Sequence, residues 1–284
     1  MAGGAAAASN AARWRWIPAV ILPFELVLFL AGRSDGAPPS DLPCGAFAFP
    51  DSAGGLLLAP ADLLQPERMT KVVCPGGRVL RIRYLRQQQA NAADNGRQIS
   101  SNFGNQAGAV FRVLDGRIDE YATCLLVVDS LLAGATIERL GPADSTRGCG
   151  AADRRRLGEL HGRPVVRCWP LARVGEDEEV VLLEFARRGQ DALASLALVG
   201  PDLAAFEDYP ATYRGEGEDL WRVDDAGQMS PDGFEILFAL RTARGHLLGV
   251  RWSSTESLSL SLLATRDGPR FEELVQGNHY VAPR

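Results

Sequence analysis

Three runs near the C-terminus decide the fold: Phe234-Glu-Ile-Leu-Phe-Ala-Leu-Arg241, His246-Leu-Leu-Gly-Val-Arg-Trp252 and Ser257-Leu-Ser-Leu-Ser-Leu-Leu-Ala264. The last alternates serine with leucine. A strand turns successive side chains to opposite faces, so one face of this run is buried and the other wet. The connections Thr242–Gly245 and Ser253–Glu256 are too short for anything but turns. The three runs therefore make an antiparallel meander.

Working outward, Glu179–Ala186 and Ala192–Val199 form another hairpin across Arg187-Arg-Gly-Gln190. Pro201–Gly217 reads as a link, and Leu220–Val223 as a short strand ended by Asp224-Asp-Ala-Gly227. In the first half Val79–Tyr84 alternates. Ala109–Leu114 and Arg117–Tyr121 flank Asp115-Gly116, a strong hairpin signal because both turn positions tolerate positive φ. The second of these runs extends through Cys124–Val128, and Ala135–Leu140 is a further short strand. Asp153–Leu160 fits a short helix capped by Asp153 and stopped near Gly162. Ala37 to Gln65, rich in Pro, Gly and Ala, reads as an irregular entry segment. Strand signals at intervals of roughly 10–14 residues, with no βαβ rhythm, give an all-β class: antiparallel sandwich or barrel-like sheets, a C-terminal meander and a minor short helix. The expected organisation is a leader over 1–36 and β lobes over 37–150 and 151–284, separate or continuous.

Trp14–Gly32 sets the compartment. Arg13 and Arg15 precede an apolar core, Ile17–Leu30, and small residues follow, which is the layout of a secretory signal. Glu25 and two prolines interrupt the run, and it falls short of the ~20 apolar residues of a full span. The segment is thus a cleaved signal, with an uncleaved N-terminal anchor (then the chain's only membrane contact) or a helix of a soluble protein as the alternatives. Removing residues 1–36 takes three arginines and two acids from the 30 basic and 35 acidic residues. The resulting modest acidic balance excludes nucleic acid as the main partner. The chain is expected in the periplasm, envelope or extracellular space.

Export makes the cysteines candidates for bridges. Proximity favours Cys44 with Cys74 and Cys149 with Cys168, leaving Cys124 as a buried thiol in Ala122-Thr-Cys-Leu-Leu-Val-Val128. No Cys-x-x-Cys pair is present, and no zinc, calcium or cofactor motif appears. The acidic run Glu176–Glu179 lacks calcium-loop spacing and reads as a solvated hairpin tip. Nucleophile elbows, phosphate loops and His-Glu-x-x-His are likewise absent, so no catalytic residue is assigned.

The candidate binding residues lie in one polar stretch and near the C-terminus. Between Arg86 and Gly108 come Gln87, Asn102, Asn105 and Gln106, amides whose paired donors and acceptors suit a sugar or peptide. Trp252 and His279 join them as ligand candidates. Trp169, Trp221 and Trp252 fit a β-core better than an exposed platform. His246 reads as turn decoration, and His161 as a partner of its helix's C-terminal dipole. These residues point to a non-catalytic binding or scaffolding protein, its partner a protein or a small polar ligand. The alternative is a glycan- or peptide-directed hydrolase with carboxylates gathered from separate strands, His279 or Glu256 among its candidates.

Overall fold

The computed structural model describes residues 45–143, 148–213, 215, 219–221, 229–266 and 268–281. The N-terminal leader, Cys44 and the Asp224–Gly227 turn lie outside them. By its contacts the chain divides after Ser40, and the unit Asp41–Arg284 carries every described strand and helix.

Six strands close a barrel: β1 (Gly45–Pro50), β2 (Leu56–Ala59), β3 (Met69–Cys74), β4 (Arg78–Gln88), β5 (Gly108–Val113) and β6 (Cys124–Val128), in the order β1-β2-β5-β4-β3-β6. All neighbours are antiparallel, and β6 returns to β1 with Ala46 opposite Leu126. Closure leaves no strand edge open. Inside sit Leu57, Val72, Leu80, Ile82, Phe111 and Leu126.

After a helical turn, α1 (Asp129–Leu132), the chain supplies β7 (Thr136–Glu138) and β8 (Leu140–Pro142), then helix α2 (Ala151–His161). Then come β9 (Val165–Val174), β10 (Glu178–Phe185), β11 (Asp191–Val199), β12 (Ala204–Tyr213), β13 (Asp219–Leu220), β14 (Phe234–Thr242), β15 (Gly245–Ser253), β16 (Ser257–Thr265) and β17 (Phe271–Tyr280). They form a six-stranded sheet, β13-β12-β11-β10-β9-β8, and a five-stranded sheet, β17-β16-β15-β14-β7. The meander is the central layer. One of its faces meets the six-stranded sheet through Ile236, Leu248, Val250 and Leu263. The other meets the barrel wall, where Leu240, Leu260 and Leu262 pack with Phe47, Val73, Leu125 and Val127. The six-stranded sheet's outer face is covered by α2 through Leu157, over Val181, Leu183 and Phe185.

The fold is mostly antiparallel β with short helices, as expected. Several local expectations give way. From Gly45 on the entry segment is not irregular, since β1 and β2 are barrel strands buried on nearly every residue. Asp115-Gly116 makes a turn but no hairpin. Its carboxylate accepts from the Arg81 amide (2.7 Å) and Arg81 Nε (3.0 Å), which fastens the end of β5 to β4. The chain then crosses the barrel's end, burying Ile118, whose amide donates to the Gly54 carbonyl. Residues 201–217 are not a link, because β12 occupies most of them. β7 and β8, placed by sequence in the N-terminal lobe, are edge strands of the two later sheets, so the barrel ends at Val128. Helix α2 begins behind Gly150 with no side-chain cap, and Asp153 lies within its first turn. Gly162 (φ 78°) ends it, its amide reaching the carbonyls of Gly158 and Glu159.

The cysteine pairing changes too. Cys74 bonds Cys124, not Cys44, and Cys149 bonds Cys168. Cys74 ends β3 and Cys124 begins β6, its antiparallel neighbour, so the barrel sets their Cα atoms 4.3 Å apart although 50 positions separate them in sequence.

Candidate functional site

Where the barrel meets one end of the central sheet there is a cavity of about 740 Å³. Phe49 comes from β1, and residues 97–101 from the loop after β4. Residues 120–123 come from the lead-in to β6, Arg251 and Ser253 from the end of β15, and Leu258 from β16. His279 closes the floor from β17.

The loop holds its shape through the amides that the sequence offers as ligand contacts. Gln88 Nε2 donates to the carbonyls of Phe103 (2.7 Å) and Gln106 (2.8 Å). Asn102 Nδ2 donates to Asp94 Oδ1 (2.9 Å) and the Arg97 carbonyl (3.0 Å), and Asn105 Nδ2 reaches Asn102 Oδ1. Asn102 and Gln106 are buried, and Gln87 Nε2 is bonded to the Ala61 carbonyl. Thus Gln87 and Asn102 tie down backbone carbonyls that would otherwise go unsatisfied, Asn105 braces Asn102, and the Gln106 side chain bonds Asp94, while the cavity is lined by their neighbours, residues 97–101. The loop is docked at its middle. The Gln98 amide donates to the Tyr280 carbonyl (2.8 Å), and the Tyr280 amide to Gln98 Oε1 (2.7 Å). Phe103 packs edge-on against Phe49, with ring centroids 5.9 Å apart.

Of the ligand candidates read from the sequence, His279 lines the cavity. Only 6 % of it is exposed, its ring stands edge-on to Phe49 at 5.8 Å, and it has no hydrogen-bond partner among the described residues. Burial pushes its pKa down to about 4, so the imidazole is neutral at pH 7, with one donor and one acceptor nitrogen. Trp252 is elsewhere, stacked on Phe234 (5.1 Å) and against Tyr209 (5.0 Å) between the two sheets. Trp169 and Trp221 pack on the same core. Glu256 is an exposed turn residue outside the cavity lining. Phe49, Arg97, Tyr121 and Arg251 were not foreseen as lining residues, since no local pattern marks segments that meet only in the folded chain.

Two other polar clusters bear on chemistry. At the far end of the β14–β15 hairpin, Arg241 donates to Glu138 Oε1 (2.7 Å) and Glu178 Oε2 (2.8 Å), and His246 Nε2 lies 3.0 Å from Glu178 Oε2. A cleft of about 790 Å³ opens there. His246 is not turn decoration: it is 4 % exposed, the second residue of β15, its amide donating to Thr265 Oγ1 (2.7 Å). Burial lowers its pKa, Glu178 opposes that shift, and Arg241 adds to it. The second cluster lies under α2. Asp208 Oδ1 accepts from Ser195 Oγ and lies 2.9 Å from His161 Nε2, while Arg270 Nη1 holds Oδ2 (3.0 Å). The carboxylate stands between serine and histidine, so the histidine cannot take the serine's proton, and Ser195 is fully buried. This cluster bolts the helix end to the sheet. Among the described residues no group of three His, Cys, Asp or Glu could hold a metal ion.

Two ionisable groups, one buried and one half-buried, give the fold opposing pH dependences. The folded state holds His279 neutral, so its contribution is present above pH 6.5 and lost as pH falls towards 4, a displacement of about 3 kcal/mol. Glu207 on β12 is raised to about 7 by burial first, then by the charges of Glu273 and Asp208. A carboxyl raised in the folded state is stabilising when protonated, and that contribution is lost as pH climbs from 4.5 to 7. Glu207 is only half buried, so solvent screening reduces its contribution to about 1–2 kcal/mol. Urea unfolding of Glu207→Gln is expected to match wild type near pH 4.5 and to exceed it by about 1–2 kcal/mol at pH 8. A gap that does not change with pH would rule this out.

Comparison of the chain with protein-family models, curated proteins and solved structures finds no match.

Proposed function

We propose that this chain is an exported, non-catalytic binding protein whose cavity at the barrel–meander junction takes a small polar ligand. The observation that carries the reading is His279: a buried imidazole with no hydrogen-bond partner among the described residues, facing a cavity walled by a loop that its own amides hold in place. The neutral imidazole presents one donor and one acceptor nitrogen to that cavity, and a polar ligand can use both. Two disulfides are compatible with export. Among the described residues no helix is long and apolar enough to cross a membrane.

The hydrolase reading stays second, favoured by the Glu178–His246 approach beside an open cleft. Arg241 engages both Glu138 and Glu178, which leaves neither carboxylate free to serve as an acid or a nucleophile.

A thermal-shift screen of the full chain against sugars, peptides and divalent ions tests the first reading. A ligand at a hundred times its Kd is expected to add ~2.7 kcal/mol of stability. No shift with any class removes it. Turnover of a glycan or peptide that Glu178→Gln abolishes would put the hydrolase first.

A further inference from the structure

The charge and hydroxyl content of the cavity narrows the ligand. Two guanidiniums, Arg97 and Arg251, line it with one carboxylate, Glu120, and Arg251 is already ion-paired to Glu235. The fixed charges therefore balance, and neither a simple anion nor a simple cation finds a net complement. Seven of the lining residues are serine or threonine, among them Ser52, Ser100, Ser101 and Ser253. Apolar surface from Phe49, Ile99 and Leu258 also lines the cavity, with the Tyr121 ring exposed. A lining that mixes hydroxyls with apolar side chains complements one kind of small molecule well: a ring with hydroxyls at its rim and C–H groups on its faces.

Resting on the binding reading above, we infer that the ligand is an uncharged sugar of one or two rings, with His279 as the buried group that exchanges hydrogen bonds with its hydroxyls. A neutral imidazole offers one donor and one acceptor, and a hydroxyl can answer either. The cavity of about 740 Å³ is of ordinary size for a small-molecule site. A zwitterionic dipeptide is the competing ligand, since Arg97 and Glu120 put opposite fixed charges on the lining, and it is therefore one of the probes.

The test is calorimetric titration of the full chain with glucose, N-acetylglucosamine and maltose, beside alanyl-alanine and inorganic phosphate. At least one sugar is expected to bind saturably, and the two charged probes are not. His279→Phe fills the same space without polar atoms and is expected to weaken that sugar about tenfold, the value of one buried hydrogen bond. His279→Asn keeps a donor and an acceptor and is expected to recover part of the loss. Should the phenylalanine variant fail to fold, ¹⁵N-histidine spectra of the wild type serve instead. Sugar is then expected to move the His279 ring signals and leave those of His161 and His246 in place. Saturable binding of the dipeptide or phosphate alone overturns the sugar assignment and leaves the binding reading standing. Sugar binding that His279→Phe does not weaken overturns the role of His279. Silence from every probe, together with no hit in the thermal screen, overturns both.

Discussion

Replacing Cys74 and Cys124 together by alanine is expected to cost about 4 kcal/mol of folding free energy, seen as a lower urea midpoint under non-reducing conditions. The bond closes a loop of 50 positions, and in the chain-entropy description its effect grows with the logarithm of that span. Both cysteines are nearly fully buried in the barrel core, so the double replacement also loses packing. The equivalent change at Cys149 and Cys168, 19 positions apart, is expected to cost about 3 kcal/mol on the same argument. That bond ties the entry to α2 to strand β9, outside the barrel. Thiol counting on denatured, unreduced protein should find one free cysteine of five, and peptide mapping should not place it at Cys124. A Cys74→Ala/Cys124→Ala variant as stable as wild type would remove the bond's role in holding the barrel.

That pairing shows where the sequence stops being informative. Proximity in the chain is enough to pair Cys149 with Cys168, but Cys74 finds Cys124 only because β3 and β6 are neighbours in a closed sheet. A strand order is set by closure, and no residue announces it. Strands whose two faces differ were visible: in Ser257–Ala264 the leucines at 258, 260 and 262 pack towards the barrel while the serines between them stay half-buried. Gly45-Ala-Phe-Ala-Phe-Pro50 does not alternate, since one side faces the barrel core and the other the meander. Burial on both faces erases the period that marks a strand. β12 was obscured by Pro210 and its acids. Its outer neighbour β13 pairs only with Thr212 and Tyr213, so Pro210 sits beside a mostly open edge, where proline is tolerated. β17 carries Glu272, Glu273 and Gln276 exposed, as suits the sheet's edge strand. The site shows the same division. A polar loop and His279 could be picked out, but not that the loop's amides would be consumed in holding it, nor that Phe49 and Arg251 would complete the cavity.

The other large effect is expected at Phe238, which is fully buried between the meander and the barrel. Its partner across the β14–β15 ladder is Gly249, and a Cβ on that glycine would lie 2.5 Å from the ring. The ring therefore fills the place where the opposite strand has no side chain, an arrangement that covers exposed backbone and fixes the pairing register. Phe238→Ala is expected to lower stability by about 3–5 kcal/mol, because it removes a buried ring and leaves a hole that strands held on both faces cannot close. Gly249→Ala alone is expected to cost about 1–3 kcal/mol by driving a methyl group into the ring. With Phe238 already truncated, the same methyl enters vacant space and adds β-propensity. The double variant should thus be less destabilised than the two singles summed, by at least about 1 kcal/mol, whereas uncoupled sites would add to within about 0.5 kcal/mol. Additivity in urea unfolding would show that the ring and the glycine are not complementary. The same interface sets the cavity: Phe47 of β1 lies 3.0 Å from where a Cβ on Gly277 of β17 would stand, and those two strands carry Phe49 and His279. Loosening it at Phe238 is therefore expected to weaken ligand binding as well, through the wall spacing, although Phe238 does not line the cavity.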